Sequence, residues 1–401
     1  MSRAMKDSGV PWLKEIPVDW KVERGKNVLA LQKRPVRDND EVVTCFRDGE
    51  VILRSHRRTE GFTMSDKEIG YQGINEGDIV IHGMDGFAGA MGVSKSTGKG
   101  SPVLIVCTPK YDAIPQYIIY YLRALAMTDV FVALATGIRE RSCDLRWNKV
   151  SELEFIMPLS SEQQKIATFL DRKCAEVDEM IALQEQIIEE LRAYKQSVIT
   201  EAVTKGLNPD APMRDSGIEW IGQIPEHWKY SKFKYYITID SGDAILNENI
   251  SEEGEYPVFG GGERMGYFSK YNTCEDCLII GRVGARCGCV TMPMTKTWAT
   301  DNALVLKSKW VLKFTFYLLQ GLNLNRLNTS NAQPLITATK VKNEYVPIIP
   351  STEQQAIADY LDDKCADIDS LIQTKQSKID SLKEYKKSII YEYVTGKREV
   401  E

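Results

Sequence analysis

EQQKIATFLDRKCAEVDEMIALQEQIIEELRAYKQSVITEAVT at residues 162–204 and EQQAIADYLDDKCADIDSLIQTKQSKIDSLKEYKKSIIYEYVT at 353–395 are two versions of one segment, about half identical at an offset of 191. Neither contains Pro or Gly, and both are rich in residues that favour helix. Each predicts one helix of about 43 residues, roughly 65 Å long at ~1.5 Å per residue. Ser160 or Ser161 is placed to cap the first, and Gly206 to end it. The apolar stripe runs Leu170, Cys174, Val177, Ile181, Ile188, Leu191, Val198, Ala202 in the first copy. In the second it runs Leu361, Cys365, Ile368, Ile372, Ile379, Leu382, Ile389, Tyr393. Gln184, Lys195, Lys375 and Lys386 fill the polar slots. Alternating spacings of three and four make a coiled-coil seam. A second stripe (Leu183, Ile187, Tyr194, Ile199, with Tyr385 and Ile390) exceeds what one helix partner covers, which implies further helices from another protein.

The repetition extends upstream. MKDSGVPWLKEIPVDW (5–20) and MRDSGIEWIGQIPEHW (213–228) share eight of 16 positions at an offset of 208. The chain is therefore two copies of one plan: a lead-in segment, a variable domain and a long helix. The expected divisions are a first domain at 1–158, a helix at 159–206, a second domain at 207–350, a helix at 351–396 and a tail at 397–401. GDIVIHGMDG (77–86) and EDCLIIGRVG (275–284) echo each other as a buried strand entering a tight turn, with Gly83 matched to Gly281. The fold class is α+β: two mixed α/β domains joined by two long antiparallel coiled-coil helices, with a pseudo-twofold internal repeat.

The net charge of −5 over 401 residues does not announce a nucleic-acid binder. It is unevenly spread, however. Residues 21–157 carry +1 and 229–349 carry +3, whereas 158–206 and 350–396 carry −3 each. DNA affinity must then come from local Arg and Lys placement. No run of 18 apolar residues predicts a membrane span, and the N-terminus lacks a signal-peptide core. These features point to the cytoplasm and to free thiols for the nine cysteines. Two homologous domains on antiparallel helices match the local twofold symmetry of B-DNA. They would read two half-sites that differ as the domains differ, at a spacing set by the helices.

The lead-in blocks at 7–20 and 215–228 resemble those of target recognition domains in specificity subunits of type I restriction-modification enzymes. The E-Q-Q-x-I-A-x-[FY]-L-D blocks at 162–171 and 353–362 resemble the starts of that family's two conserved helical regions, and Y-P-V-F-G-G-G at 256–262, I-I-G-R-V-G-A at 279–285 and W-A-T-D-N-A-L at 298–304 are similar to turns inside its recognition domains. The resemblance implies a phage-defence protein without catalytic chemistry of its own. It implies double-stranded DNA, two methyltransferase (modification) subunits and, for cleavage, restriction subunits as partners. The complex would be an adenine-specific DNA methyltransferase and ATP-dependent endonuclease. S-adenosylmethionine, and ATP with magnesium, would be the partners' cofactors. The recognised site would be bipartite and asymmetric. The first domain departs from the pattern, with Gly83-Met84-Asp85-Gly86 in place of G-R-V-G. A second reading, from another class, is a coiled-coil scaffold whose variable domains bind protein or glycan.

Arg54, Arg57 and Arg58, beside His56, suit phosphate contact or bidentate reading of guanine, or form a solvated basic loop. Arg139, Arg141 and Arg146 precede the first helix, and Asn331, Gln333 and Lys340 are their polar counterparts before the second. Arg282 and Arg286 flank Gly284, to meet a phosphate or to brace the turn. The helix interface set is Leu170, Val177, Ile181, Ile188, Leu191, Tyr194, Val198, Leu361, Ile368, Ile372, Ile379, Leu382, Tyr385 and Ile389. Cys274-x2-Cys277 and Cys287-x-Cys289 have spacings that suggest zinc. Cys277, however, opens an apolar strand, which favours core cysteines. GVSKSTGKG (92–100) fails as a phosphate-binding loop, with Val93 in place of its first Gly and Gly100 in place of Ser/Thr.

Overall fold

A computed structural model describes residues 3–57, 69–128, 130–131, 145–273, 276–284, 286–328 and 334–400. The chain forms two compact units, residues 1–183 with 378–401, and residues 184–377. The long helices run Ser160–Lys205 and Ser351–Val394, so each contributes to both units.

Each variable domain is built on a four-stranded antiparallel sheet. In the first the order is Leu29–Leu31, Leu104–Pro109, Ile79–His82, Met91–Val93; in the second it is Ile237–Ser241, Ala303–Ser308, Leu278–Gly281, Val290–Thr291. The uninterrupted apolar runs at 79–81 and 278–280 are explained by burial on both faces. Ile79 and Ile81 join the main core while Val80 joins a satellite with Val43, Cys45, Val51 and Ala90. Leu278 and Ile280 likewise face the main core, and Ile279 packs with Ala299 and Ala303. Strand Lys21–Arg24 pairs with Glu154–Met157, and Lys229–Lys232 with Tyr345–Ile348. Each domain thus begins and ends beside the start of its long helix.

The repeated letters are those that fasten domain to helix. In the lead-in hairpins, Asp7 Oδ1 and Asp215 Oδ1 accept from the amides of Gly9 and Gly217 at 2.9 Å, and both glycines sit at φ +69°. This is a side-chain turn that only Gly adopts without strain. The buried Trp20 donates its indole N–H to Glu162 Oε2 at 3.0 Å, and Trp228 donates to Glu353 Oε2 at 2.9 Å. Gln163 accepts from Ile114 N and donates to Pro158 O, both at 2.9 Å; Gln354 accepts from Val311 N at 3.1 Å and donates to Ile349 O at 2.7 Å. Asp171 accepts from Tyr120 Oη and Asp362 from Tyr317 Oη, each at 2.8 Å.

The helix segments pair antiparallel inside each unit. In the first unit Lys386 Nζ binds Asp178 at 2.7 Å and Phe169 stacks on Tyr393 at 4.4 Å, so numbers rise along one helix as they fall along the other. In the second unit Lys195 Nζ binds Asp369 at 2.7 Å, and Ile199, Ala202 and Val203 share a core with Ile357, Leu361 and Cys365. The two ion pairs join sequence-equivalent residues. Leu170, Val177, Ile188, Leu361, Ile368, Ile379 and Ile389 are buried; Ile181, Leu191, Val198, Ile372 and Leu382 are half-buried. Gln184 is buried with its Oε1 unpartnered.

Two expectations need correction. Ile199 and Ile390 do not belong to an uncovered stripe: they are buried in the cores of their own units. Ser160 does not cap the first helix either; its hydroxyl donates to Asp112 O, and Leu159 O accepts from the amides of Glu162 and Gln163. Gly206 does follow the helix at φ +76°, its amide bonded to Ala202 O. Among the described residues no helix is long and apolar enough to cross a membrane, and no cluster of three His, Cys, Asp or Glu is placed to hold a metal ion. Cys277 and Cys287 are buried, and Cys274 lies outside the described residues.

Leu361→Ala should destabilise the protein by about 2–5 kcal/mol through the cavity it leaves. Leu371→Ala, ten residues on and half exposed, should change stability by less than about 0.5 kcal/mol. Urea denaturation compares them; equal effects would contradict the seam. Burial pushes the Cys45 and Cys107 thiols up to about 12, so little thiolate forms at pH 8. Exposed Cys289 should therefore alkylate in the native protein while Cys45 and Cys107 react only on unfolding, as peptide mass spectrometry would report. Equal native rates would contradict this burial.

Candidate nucleic-acid interface

Of the described basic residues singled out from sequence, Arg54, Arg57, Arg282 and Arg286 fall just past strand ends, and Arg146 and Lys340 fall at or in short helices. Arg54 sits in a short 3-10 turn, Arg54–His56, with its Nε donating to Thr44 Oγ1 at 3.1 Å. Arg57 stacks over Phe46 at 4.3 Å and bridges Asp48 and Glu50. The hydrogen bond from Arg57 is the main reason the Asp48 carboxyl stays below its usual range, and Asp48 in turn strengthens the charge on Arg57. Arg146 is exposed immediately before a short helix, Trp147–Val150. Arg58, Arg139, Arg141, Asn331 and Gln333 lie outside the described residues.

In the second domain Arg286 is exposed and paired with Glu263 at 2.9 Å. Exposed pairs of this kind contribute ~0–1 kcal/mol, so a phosphate can replace the carboxylate at little loss. Lys340, in the short helix Ala338–Asn343, donates to Leu327 O at 2.9 Å. Arg282 braces its turn: Nη1 reaches Ser241 Oγ at 3.3 Å and Asp301 O at 3.4 Å. Its Nε is enclosed without a partner, which leaves the group poorly satisfied for a structural brace.

The echo between the two turns is shifted by one residue from the sequence match. The Gly83 amide donates to Val103 O and its carbonyl accepts from Leu145 N, both at 2.9 Å. The residue with the same two bonds in the second domain is Arg282, donating to Asn302 O at 3.2 Å and accepting from Ile336 N at 2.9 Å. Gly83 therefore corresponds to Arg282, not to Gly281. Matching glycine to glycine misled the alignment, because Gly281 answers a different need: a Cβ there would lie 2.4 Å from Gly261 O. Beyond the Gly83 turn His82 Nδ1 accepts from Asp85 N at 3.0 Å, and burial lowers the imidazole's affinity for a proton.

Sequence reasoning missed the surroundings of this turn. Gln32, Lys33, Gln72, Met84 and Trp147 line one cleft with Gly83. They come from four separate stretches that the fold brings together, and none carries a motif. The exposed apolar positions on the helices repeat as well: Met180 and Leu371 are equivalent, and so are Tyr194 and Tyr385.

The sequence profile described as "Type I restriction modification DNA specificity domain" matches residues 225–393. The putative type I restriction enzyme MjaX specificity subunit of Methanocaldococcus jannaschii is 24% identical over 96% of this chain and 94% of its own length. The type I restriction enzyme EcoprrI specificity subunit of Escherichia coli is 32% identical over 147 residues, 34% of this chain and 36% of that protein. A chain solved in work on complex assembly and conformational transition of the type I R-M system superposes with a TM-score of 0.73 at 16% identity, covering 96% of this chain and 99% of that one. The HsdS subunit of Thermoanaerobacter tengcongensis gives 0.51 at 17% identity, covering 96% and 98%. With a duplicated plan, repeated docking letters and relatives matched along nearly its whole length, the chain is similar to type I restriction-modification specificity subunits.

Proposed function

We propose that the chain is the DNA specificity subunit of a type I restriction-modification complex, reading a bipartite asymmetric site with one recognition domain per half-site. The observation that carries this is one sheet-and-helix plan built twice in a single chain, with unlike side chains at equivalent turns. Gly83 stands against Arg282, Lys33 against Ser241, and Arg146 against Thr337. Repeated scaffolds with divergent reading surfaces suit two different half-sites. Arg54, Arg57, Arg146, Arg282, Arg286 and Lys340 are the described candidates for DNA contact, the guanidinium groups serving phosphates or guanine edges. The protein supplies no catalytic group in this reading. Methyl transfer with S-adenosylmethionine, and cleavage driven by ATP with magnesium, belong to partners in the cytoplasm.

Two methyltransferase subunits would dock on the long helices. Each unit leaves large apolar side chains in solvent there: Met180, Leu183 and Tyr385 in the first, Tyr194 and Leu371 in the second, each 48–59% exposed. Large apolar side chains left about half exposed, four of them at equivalent positions (Met180 with Leu371, Tyr194 with Tyr385), mark a protein contact.

Methylation-sensitive sequencing of a host carrying this chain with its methyltransferase should give a split motif with two unlike halves. A contiguous or palindromic motif would contradict the reading. Tyr194→Asp with Leu371→Asp, combined with Met180→Asp and Tyr385→Asp so that both units lose their anchors, should cut methyltransferase co-purification by at least about tenfold, with circular dichroism unchanged. Undiminished co-purification would place the partner elsewhere.

A further inference from the structure

The first lead-in segment is tied to its helix by an arginine that the second lacks. Arg3 lies over Trp20, 5.2 Å from the ring centroid. Its Nη1 donates to Glu162 Oε1 at 2.5 Å, and its Nη2 to Glu162 Oε2 at 3.1 Å and to Asp19 Oδ2 at 2.8 Å. Only 19% of the Arg3 side chain is exposed. The lead-in backbones fix its counterpart. Ala4 O accepts from Val18 N at 3.1 Å, as Pro212 O accepts from Glu226 N at 2.8 Å. Arg3, Asp19, Trp20 and Glu162 therefore correspond to Ala211, His227, Trp228 and Glu353.

In the second unit the receptor is kept although its arginine is gone. A cleft of about 340 Å³ is lined by Leu207, Ala211, Pro225, His227, Glu353 and Ala356 among others. It holds the counterparts of Arg3 and of both its carboxylate partners. His227 reaches Glu353 Oε1 at 3.0 Å, but it does so from the place of Asp19, so the place of Arg3 stays open. A carboxylate accepts about four hydrogen bonds. Glu353 is engaged by His227 and Trp228, which leaves acceptor capacity for a further donor. Lys205, also on the wall, is turned to Glu201 at 3.3 Å. Leu207, Pro225 and the two alanines offer an apolar wall to a methylene stem. A fork of N–H groups on such a stem suits this acceptor, whereas a lysine ammonium presents a single point of charge.

The position of the cleft names the partner. At 3.6 residues per turn, Glu353, Ala356, Tyr360 and Leu371 fall within about 60° of one another around the helix. Ala356 is exposed, and Tyr360 and Leu371 are exposed by 38% and 50%. The cleft is therefore continuous with the apolar helix face on which a methyltransferase would dock.

We propose that this cleft receives an arginine side chain of the methyltransferase subunit docked on the second unit, which supplies from the partner what Arg3 supplies within the first. This rests on the docking reading above and adds a specific anchor to it.

The test titrates the full chain with N-acetyl-L-arginine amide and follows the tryptophan indole N–H signals by NMR. Glu353→Gln identifies the Trp228 signal, because it changes that proton's acceptor. The probe should move this signal saturably, with a Kd on the order of 1–10 mM for so small a ligand. The lysine analogue should bind at least about threefold more weakly. Ala211→Arg, which fills the cleft from within as Arg3 does, should abolish the shift. Ala356→Arg, at an exposed wall position, should do the same should Ala211→Arg fail to fold. No shift in the unaltered chain, or an equal shift in these variants, would overturn the receptor while leaving methyltransferase docking intact. The occupant is tested by calorimetry with the methyltransferase. Ala211→Arg should weaken one of the two binding steps roughly tenfold, as loss of a charged hydrogen-bonded pair implies. Undiminished binding at both steps, in a variant that no longer takes the probe, would overturn the methyltransferase as the source of the arginine. Undiminished co-purification by the four-aspartate variant would overturn the docking reading, and the occupant with it.

Discussion

The antiparallel pairing of the two helix segments in each unit is the constraint on which the rest of the structure depends. Neither recognition domain has a complete core without it. In the first unit Leu170 and Cys174 meet Ile389, Ile390, Tyr393 and Val394, residues more than two hundred positions later. In the second, Ile199, Ala202 and Val203 meet Ile357, Leu361 and Cys365. Each domain lies on two helix segments at once, so a reversed second helix would strip apolar cover from both. The lysines at 195 and 386 add direction to the seam, each finding an aspartate only in this sense. Pairs as exposed as these contribute little to stability, but a charged residue in a seam discriminates between alternatives.

Upon that seam sits a division of labour between letters that hold and letters that differ. The holding letters are polar, and one partner of each pair is buried: Trp20 with the half-buried Glu162, Gln163 with two backbone groups, Tyr120 with the exposed Asp171, and the same set again at Trp228, Glu353, Gln354, Asp362 and Tyr317. A buried polar group left unsatisfied is expensive, so losing a carboxylate strands the buried indole or hydroxyl that it serves. The differing letters lie at strand ends and turns, where replacement leaves the core untouched. A protein whose task is to recognise a particular site needs this separation, since its reading surface can be altered without rebuilding the frame.

The sequence made the frame legible because the frame is local and repeated. The seam spacing, the D-S-G turn, the lead-in Trp and the E-Q-Q helix start all recur within short windows, and each has a physical cause in the structure. The reading surface was not legible to the same degree. Gly83 was paired with Gly281 because identity was the only guide, whereas backbone bonds from Val103 and Leu145 pair it with Arg282. Ile199 and Ile390 looked uncovered because the surfaces that bury them are distant in sequence. Arg282 and Arg57 read equally as contacts or as braces, and only the partners Ser241, Asp301, Asp48 and Glu50 show how each is held. Arg58, Arg139, Arg141, Asn331 and Gln333 fall outside the described residues.

The most direct test of the helix pairing is disulfide formation between engineered cysteines on an otherwise unchanged chain. Asp178→Cys with Lys386→Cys, and Lys195→Cys with Asp369→Cys, should each cross-link within one molecule under mild oxidation. Asp178→Cys with Asp369→Cys, the positions that face each other when two such helices run parallel, should not. Efficient cross-linking of that last pair, with none of the first two, would contradict the antiparallel seam and the two-domain plan built upon it.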